Sequence, residues 1–244
     1  MTHSDHPALS GFLRRLLLRS KLTQEEQGAI LSLEGVTVQA TANRDLVRPG
    51  EKVSYSCLVI EGLVGRYDQM ADGSRQTTSF FIVGDMADLQ SAVCPIAGWG
   101  LVALTNSTVL KVPHAALVDI STSYPAISRA FWRDTVVDAA ILSKWVANIG
   151  RKSARARIAH VLSEMGHRME EAGIGTRTRF GFPVTQEQLA DAMGLTSVHV
   201  NRTLRALRQE GAVDFRHSVV DVLDLERLHS IAEFDPMFLL LEPA

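Results

Sequence analysis

The stretch TQEQLADAMGLTSVHVNRTLRAL, residues 185–207, constrains the fold of this chain more than any other segment. Thr185 and Thr196 each stand where a helix N-cap accepts a hydrogen bond from a backbone amide of the first turn. Gly194 separates the two segments, and glycine adopts the left-handed conformation that ends a helix without a Cβ clash. The sequence therefore predicts two short helices joined by a tight turn, the first over residues 186–192.

Apolar residues recur with helical spacing in both segments. Leu189 and Met193 are four residues apart in the first, and Val200, Leu204 and Leu207 follow at steps of four and three in the second. This spacing predicts that both helices pack on a common core and leave a polar face of the second helix in solvent. The following segment, AVDFRHSVVDVLD, is typical of a β-hairpin and predicts the wing of a winged helix.

The polar face of the second helix carries groups that can hydrogen-bond to DNA bases. Arg202 can donate two hydrogen bonds to the O6 and N7 atoms of a guanine, Asn201 can pair with adenine, and Val198 can pack on a thymine methyl. The start of the first helix suits a phosphate oxygen. We therefore predict that DNA is read by a set of eight residues: Thr185, Gln186, Ser197, Val198, His199, Asn201, Arg202 and Arg205.

The charge of the chain is unevenly distributed although its formal net charge is only −2. Residues 151–217 contain eleven Lys and Arg against seven Asp and Glu, whereas residues 218–244 contain one against six. A surplus of four positive charges is also what a solvated basic face would give. The charge pattern thus agrees with nucleic-acid binding but does not establish it.

Residues 36–113 have a different character, with short β-rich runs separated by turn signals. The runs are VTVQA, YSCLVIEGLVGRY, QTTSFFIV and LVALTNSTVLKV, and the turns fall at Pro49-Gly50, Asp72-Gly73 and Gly84-Asp85. Many short strands at this spacing predict an antiparallel barrel or jelly roll. Residues 8–34 precede it and are predicted to be helical, with Thr23 and Glu26 spaced as in a capping box.

A long helix is predicted from Pro125 to Gly150, where the glycine should break it and RKSAR should form a hinge. Six of its residues recur at alternating steps of three and four, the pattern of a coiled-coil seam. We predict that this seam holds two copies together; the alternative is packing on the chain's own β-domain. A second apolar row, Phe131, Ile141 and Trp145, is available for that packing. The predicted seam is Trp132, Thr135, Ala139, Leu142, Val146 and Ile149.

Cysteine and histidine usage excludes several kinds of site. Cys57 and Cys94 cannot supply the four thiolates of an iron–sulfur cluster from one chain. No histidine lies between His6 and His114, so the β-domain lacks the paired histidines of a cupin-type metal enzyme. We expect no metal site and no catalytic residues. Cys57 is predicted to be core and Cys94, in a loop, is a candidate reactive thiol.

No run approaches 18 apolar residues, so the sequence predicts no transmembrane helix and a cytoplasmic protein.

In these features the chain resembles the cyclic-AMP receptor protein/FNR (Crp/Fnr) family of bacterial transcription regulators. The resemblance rests on the β-domain glycines at positions 50, 62, 73 and 84, the long helix and LADAMGLTSVHVNRTLRAL. It implies an α+β architecture: a cyclic-nucleotide-binding-like β jelly roll (1–122), a dimerisation helix (123–150) and a winged helix-turn-helix domain (151–244). It also implies a homodimer on palindromic double-stranded DNA, with RNA polymerase as a further partner. The family's guanine-reading arginine falls at Arg202, but Val198 replaces the acidic residue often found four positions earlier.

The chain departs from the family in its sensor domain. The cyclic-AMP binders carry a Gly-Glu-Leu turn and an Arg-Ser pair; here the turn is Gly-Asp-Met at 84–86 and the pair falls at Gly98-Trp99. No Arg or Lys stands between Arg75 and Lys111, so a phosphate would lack a charge partner on that segment. His114 and His160 are interpreted as ordinary surface or helix histidines rather than haem ligands. The predicted effector pocket is Gly84, Asp85, Met86 and Trp99.

The sequence therefore predicts a dimeric, sequence-specific transcription regulator that is not an enzyme. Its cofactor is unknown: the effector is predicted to be something other than conventionally bound cyclic AMP, or no effector at all, and no iron–sulfur cluster is expected. The alternative function is a ligand-binding regulatory module that acts through a protein partner. Family-style regulation would change the relative spacing of the two DNA-reading helices.

Overall fold

The computed structural model describes residues 7–240 of the chain. Their contacts divide them into two compact units. The first contains residues 7–69, 79–139 and 240, and the second contains residues 70–78 and 140–239.

The first unit is built on two antiparallel sheets. One has the strand order β1-β7-β3 and the other β2-β6-β4-β5, so sequence neighbours are often separated within a sheet. This is the predicted jelly-roll type of β-domain. The strands are β1 Val36–Ala40, β2 Asp45–Val47, β3 Tyr55–Glu61, β4 Val64–Gln69, β5 Arg75–Phe81, β6 Gly100–Ala103 and β7 Ser107–Pro113.

Strand β3 is covered by apolar residues on both of its faces. Cys57 and Val59 point into a cluster inside the roll, whereas Leu58 lies in a second cluster formed with the helices. Side chains alternate between the two faces of a strand, so a strand covered on both faces contains a continuous apolar run. Cys57 is thus a core residue, as predicted, and Cys94 is exposed.

Three helices cover the outer face of this roll: α1 Pro7–Leu17, α2 Gln24–Leu31 and α3 His114–Ser123. Their apolar residues, with Leu9, Phe12 and Ile30 fully buried, form one cluster with strands β3 and β7. The predicted capping box is present, because Thr23 and Glu26 each accept a hydrogen bond from the other's backbone amide.

Helix α4 spans Pro125–Arg151, and the predicted break at Gly150 is wrong. Gly150 is exposed, and the helix continues one residue beyond it, to Arg151. Ser153 then caps the next helix by accepting a hydrogen bond from the amide of Ala156. The interruption is therefore at Lys152-Ser153, inside the predicted hinge.

The two apolar rows of α4 differ in exposure. In the predicted seam Trp132 is 72% exposed and Val146 is also exposed, whereas the second row of Phe131, Ile141 and Trp145 is buried. Within the second unit, the indole nitrogen of Trp145 donates a 2.8 Å hydrogen bond to the Glu164 carboxylate.

In its described residues, the second unit contains the end of α4, four further α-helices, a short 3₁₀ helix at Pro236–Leu239 and a small sheet. Besides the end of α4, the helices are α5 Ala154–Ala172, α6 Gln186–Met193, α7 Ser197–Gln209 and α8 Leu225–Ala232. The strands are β8 Arg179–Gly181, β9 Val213–Arg216 and β10 Val219–Val222, in the order β8-β10-β9. Strands β9 and β10 are the predicted wing hairpin, and β8 adds a strand that the sequence did not predict.

Helix α5 carries two buried histidines that pack among aromatic rings. His160 lies 5.1 Å from the ring of Phe234, and His167 lies 5.2 Å from the same ring on its other flank. His160 is a helix histidine, one of the two positions that the sequence allowed, and it is buried, with 2% exposure. Burial lowers the pKa of His160 to about 3 and that of His167 to about 4. Both imidazoles are therefore neutral at ordinary pH.

Among the described residues no helix is long and apolar enough to cross a membrane.

Candidate nucleic-acid interface and sensor cavity

The first helix of the predicted DNA-reading motif, α6, begins at a complete capping box. The Thr185 hydroxyl accepts from the amide of Gln188 at 3.1 Å, and the Gln188 side chain accepts from the amide of Thr185 at 2.9 Å. Leu189 and Met193 are buried beneath it. Reciprocal capping fixes the direction of a short helix that would be marginal alone.

The turn between α6 and α7 has the predicted left-handed residue. Gly194 adopts φ 61° and ψ 45°, and Thr196 caps α7 by accepting from the amide of His199 at 3.2 Å. The guanidinium of Arg157 also donates a 3.0 Å hydrogen bond to the carbonyl of Met193. Arg157 therefore fastens the turn to α5, a contact that no local sequence pattern indicated.

Helix α7 separates an apolar face from a polar one. Val200 and Leu207 are fully buried and Leu204 nearly so, as the spacing predicted. On the other face Ser197, Arg202 and Arg205 are exposed, and Val198 is 78% exposed. A single exposed valine is ordinary on a protein surface, but this one lies beside the exposed polar groups of the same face.

The polar side chains on this face differ in whether they already form hydrogen bonds or ion pairs within the protein. No described residue forms an ion pair or side-chain hydrogen bond with Arg202 or Arg205. The side-chain Nδ2 atom of Asn201 donates a 3.1 Å hydrogen bond to the Oε1 atom of Gln186, which joins α7 to the start of α6. The structure thus places two of the eight predicted contact residues at the start of α6, five in the N-terminal half of α7 and Arg205 just beyond that half.

Other arginines near this face are held by carboxylates. Arg208 and Arg216 both contact Asp214, at 2.7 Å and 3.1 Å. These ion pairs tie the end of α7 to the wing. At the wing tip His217 and Ser218 adopt positive φ values of 49° and 62°, which closes a two-residue hairpin loop. The tip is exposed, and the sequence did not single it out as a contact.

The predicted effector pocket is not assembled in the structure. Gly84 packs against the backbone of Gly11 in α1, and Met86 lies in the apolar cluster beneath the helices. The Asp85 carboxylate accepts hydrogen bonds from the amide of Ile82 at 2.9 Å and from Arg15 at 2.8 Å. These contacts use the turn to anchor α1, so its carboxylate is not presented to a ligand beside Trp99.

Arg15 links this turn to the long helix. Besides Asp85, its guanidinium contacts Asp134 of α4 at 2.6 Å. Burial disfavours the charge on Arg15, but the two carboxylates outweigh it and raise its pKa above the ordinary value. Burial raises the pKa of Asp134 in spite of the ion pair. Such a buried charge cluster holds a unique arrangement more than it adds stability.

Trp99 instead lines a cavity of about 180 Å³ whose lining does not include residues 84–86. The carboxylate that reaches this cavity is Asp88, three residues after Asp85. Asp88 accepts a 2.6 Å hydrogen bond from the amide of Cys57 and a longer one, 3.5 Å, from Ser91. Burial raises the pKa of Asp88 to about 6 despite these donors. The sequence GDMADLQ, residues 84–90, contains a second acidic residue, and this could have indicated Asp88 as a candidate for the cavity.

The β-domain and the segment that contains helices α6 and α7 each match the model of a known domain family. A cyclic nucleotide-binding domain model matches residues 37–124, and a Crp-like helix-turn-helix domain model matches residues 156–231. Together with the fold, they define a transcription regulator that carries a helix-turn-helix DNA-binding domain.

Individual relatives agree with this class. The chain is 24% identical over 187 residues to the transcriptional activator protein FnrL of Cereibacter sphaeroides, covering 73% of this chain and 74% of that protein. It is 25% identical over 176 residues to the nitrogen fixation regulation protein FixK of Bradyrhizobium diazoefficiens, covering 71% and 72%. The structure of FixK2 from Bradyrhizobium japonicum matches with a TM-score of 0.74 at 24% identity, over 82% of this chain and 98% of that one.

The chain belongs to the Crp/Fnr family of transcription regulators. Its relatives are regulators rather than enzymes, as the sequence predicted.

Proposed function

We propose that this regulator acts as a homodimer that places one α7 helix in the major groove of each half of a palindromic operator. The observation that carries the proposal is the face formed by Val198, Arg202 and Arg205, which is exposed and makes no described ion pair. A guanidinium without a protein partner is available for the bidentate contact to guanine.

Each part of the face has a chemical role in this proposal. Arg202 reads a guanine, and Val198 contacts a thymine methyl beside it. The Ser197 hydroxyl and the His199 ring donate to base edges or phosphate, and Arg205 lies one turn further along. The hydrogen-bonded side chains of Asn201 and Gln186 lie against the sugar–phosphate backbone of the DNA. Thr185, at the start of α6, lies near a phosphate oxygen. Asn201 can reach adenine only if it releases Gln186.

The proposed dimer forms through the seam of α4. Trp132 and Val146 are exposed apolar residues on a long helix, and the seam continues through Thr135, Ala139, Leu142 and Ile149. A stripe of this spacing is buried when two such helices coil around each other. Twofold symmetry then gives two half-sites about one helical turn, roughly 34 Å, apart. Since relatives are named transcriptional activators, we include RNA polymerase as a partner.

The test is selection of bound duplexes from a random-sequence library by the full-length protein. The proposal predicts an inverted repeat whose half-site centres are separated by one helical turn, with a guanine that loses its enrichment in Arg202→Ala. Enrichment of a single half-site, or of no sequence, would contradict it. A protein that selects no DNA but retains a protein from an extract would favour the alternative, a regulatory module that acts through a protein partner.

A further inference from the structure

The cavity beside Trp99 has a chemistry that restricts what the regulator can sense. This inference rests on the proposed function, because it assigns an effector class to a DNA-binding regulator. Apolar and small residues form most of the cavity wall, and polar groups stand along one edge only. The wall consists of Val47, Val53, Cys94, Ile96, Ala97, Gly98, Trp99 and Leu101, and the polar edge is Asp88, Gln90 and Ser91.

The size of the cavity limits its occupant to a small molecule. At about 180 Å³ it slightly exceeds the roughly 150 Å³ apolar cavity that accommodates benzene in a well-studied case. One aromatic ring with a short substituent fills such a space. The indole of Trp99 and the side chains of Val47 and Leu101 offer the flat and apolar surfaces that an aromatic ring favours.

On the polar edge the Asp88 carboxylate is an acceptor, whereas the Gln90 carboxamide can both donate and accept. Asp88 is buried, one carboxylate oxygen accepts from the amide of Cys57, and the other has a 3.5 Å contact with Ser91. The Ser91 hydroxyl also lies 2.8 Å from a ring nitrogen of His114 and 3.1 Å from Ser56, so its hydrogen is shared among protein acceptors. A buried carboxylate oxygen with one long contact gains most from a new donor.

No lysine or arginine is among the described residues that line the cavity. Lys111 acts on Asp88 electrostatically, but its ammonium lies 4.0 Å from the ring of Tyr55. The guanidinium of Arg66 stacks on Trp99 at 5.0 Å and is bound by Asp138. An anionic ligand would therefore meet the Asp88 carboxylate with no cation on the wall to offset it.

We propose that this cavity binds a small aromatic molecule that carries an alcohol or ammonium donor and no negative charge. The ring lies against Trp99, and the donor hydrogen-bonds to the free side of the Asp88 carboxylate. Binding reaches the long helix through Trp99, because the ring stacks on Arg66 and the Nη1 atom of Arg66 donates to Asp138 of α4 at 2.5 Å.

A series of probes with one ring and different charges tests the proposal on the full-length protein. Benzyl alcohol, benzylamine, benzoate and cyclic AMP are titrated calorimetrically. Reaction of Cys94 with a chromogenic disulfide is followed in parallel, because Cys94 is exposed at the cavity and Cys57 is fully buried. We expect benzyl alcohol and benzylamine to bind at least tenfold more tightly than benzoate and to slow the Cys94 reaction. Binding of benzoate or cyclic AMP as tight as that of benzylamine, or no protection of Cys94 by any ring compound, would overturn the proposal.

Variants separate the donor contact from the ring contact. Asp88→Asn keeps an oxygen that can accept from Cys57 but removes the charge and places an NH2 donor on the side that faces the ligand. Benzylamine should therefore weaken at least tenfold, and benzyl alcohol, whose oxygen can accept from the NH2 group, should weaken less than benzylamine does. Trp99→Leu keeps an apolar wall and should weaken both. The matched control is Asp72→Asn, an exposed hairpin carboxylate, which should change neither. If Asp88→Asn does not fold, the Trp99→Leu result decides: unchanged affinity for both probes overturns the assignment.

Operator binding without a probe is measured on the same preparations. A protein that binds its operator but none of the ring compounds refutes this inference and leaves the proposed function intact. A protein that binds benzylamine but no operator refutes the proposed function alone. Asp138→Asn should keep probe affinity and lose any effect of the probe on operator affinity; an effect as large as in the unaltered protein contradicts the Trp99–Arg66–Asp138 connection.

Discussion

The buried histidines of α5 make a quantitative prediction about acid stability. His160 and His167 have pKa values of about 3 and about 4 in the folded protein, against about 6.5 in an unfolded chain. Between these values the unfolded state binds more protons than the folded state. The free energy of unfolding therefore falls as the pH falls from 6.5 towards 3 and is unaffected by these groups above about pH 7.

The size of the effect follows from the same values. At pH 5 a histidine in the unfolded chain is almost fully protonated, whereas the two buried histidines are almost fully neutral. Each histidine therefore lowers the free energy of unfolding by about 2 kcal/mol at this pH. Relative to pH 7.5, the pair lowers the free energy of unfolding of this unit by roughly 4 kcal/mol, a large part of the stability of a typical domain. Near pH 5 each histidine contributes a slope of about 1.4 kcal/mol per pH unit.

The perturbation is His160→Phe, which places an apolar ring of similar shape between Phe234 and Phe238. Urea unfolding, followed by tryptophan fluorescence, to which Trp145 contributes as a residue buried in this unit, gives the free energy of unfolding at pH 7.5, 6 and 5. The variant should lose about half of the pH-dependent decrease that the pair causes. His217→Asn, at the exposed wing tip, is the control and should behave as the unaltered protein does. Equal pH slopes in all three proteins would refute the reasoning.

Three further predictions concern DNA recognition, assembly and the charge cluster. Arg202→Ala should weaken operator binding by about 1–3 kcal/mol and relax preference at one base position; unchanged discrimination between operator and scrambled duplexes in binding titrations would contradict its role. Trp132→Glu combined with Leu142→Glu should give monomers in sedimentation experiments, and a dimeric double variant would disprove the seam. Arg15→Leu leaves two buried carboxylates without their cation and should lower the free energy of unfolding by about 3–5 kcal/mol; chemical denaturation with a loss below about 1 kcal/mol would contradict the cluster.

The helix-turn-helix was predictable because its information is local. Thr185, Gly194 and Thr196 act on the backbone within a few residues, and the apolar spacing of α7 fixes which face is buried. Local propensity and tertiary packing agree there, so the sequence pattern is sufficient.

The sensor cavity was not predictable in the same way, because long-range contacts decide which carboxylate faces it. Asp85 and Asp88 are chemically identical and three residues apart. Asp85 forms an ion pair with Arg15, which lies 70 residues away in the chain. Of the two carboxylates, only Asp88 lines the cavity. At Gly150 the predicted end of α4 was one residue early: a glycine costs a helix only about 1 kcal/mol, and α4 includes it and ends at Arg151.

The most direct test of the central claim is a binding titration of the full-length protein on the selected palindrome, followed by fluorescence anisotropy at several salt concentrations. We predict two chains per duplex, an affinity at least about a thousandfold above that for a scrambled duplex, and binding that weakens steeply as salt rises. Equal affinity for the two duplexes, or binding by a single chain, would contradict it.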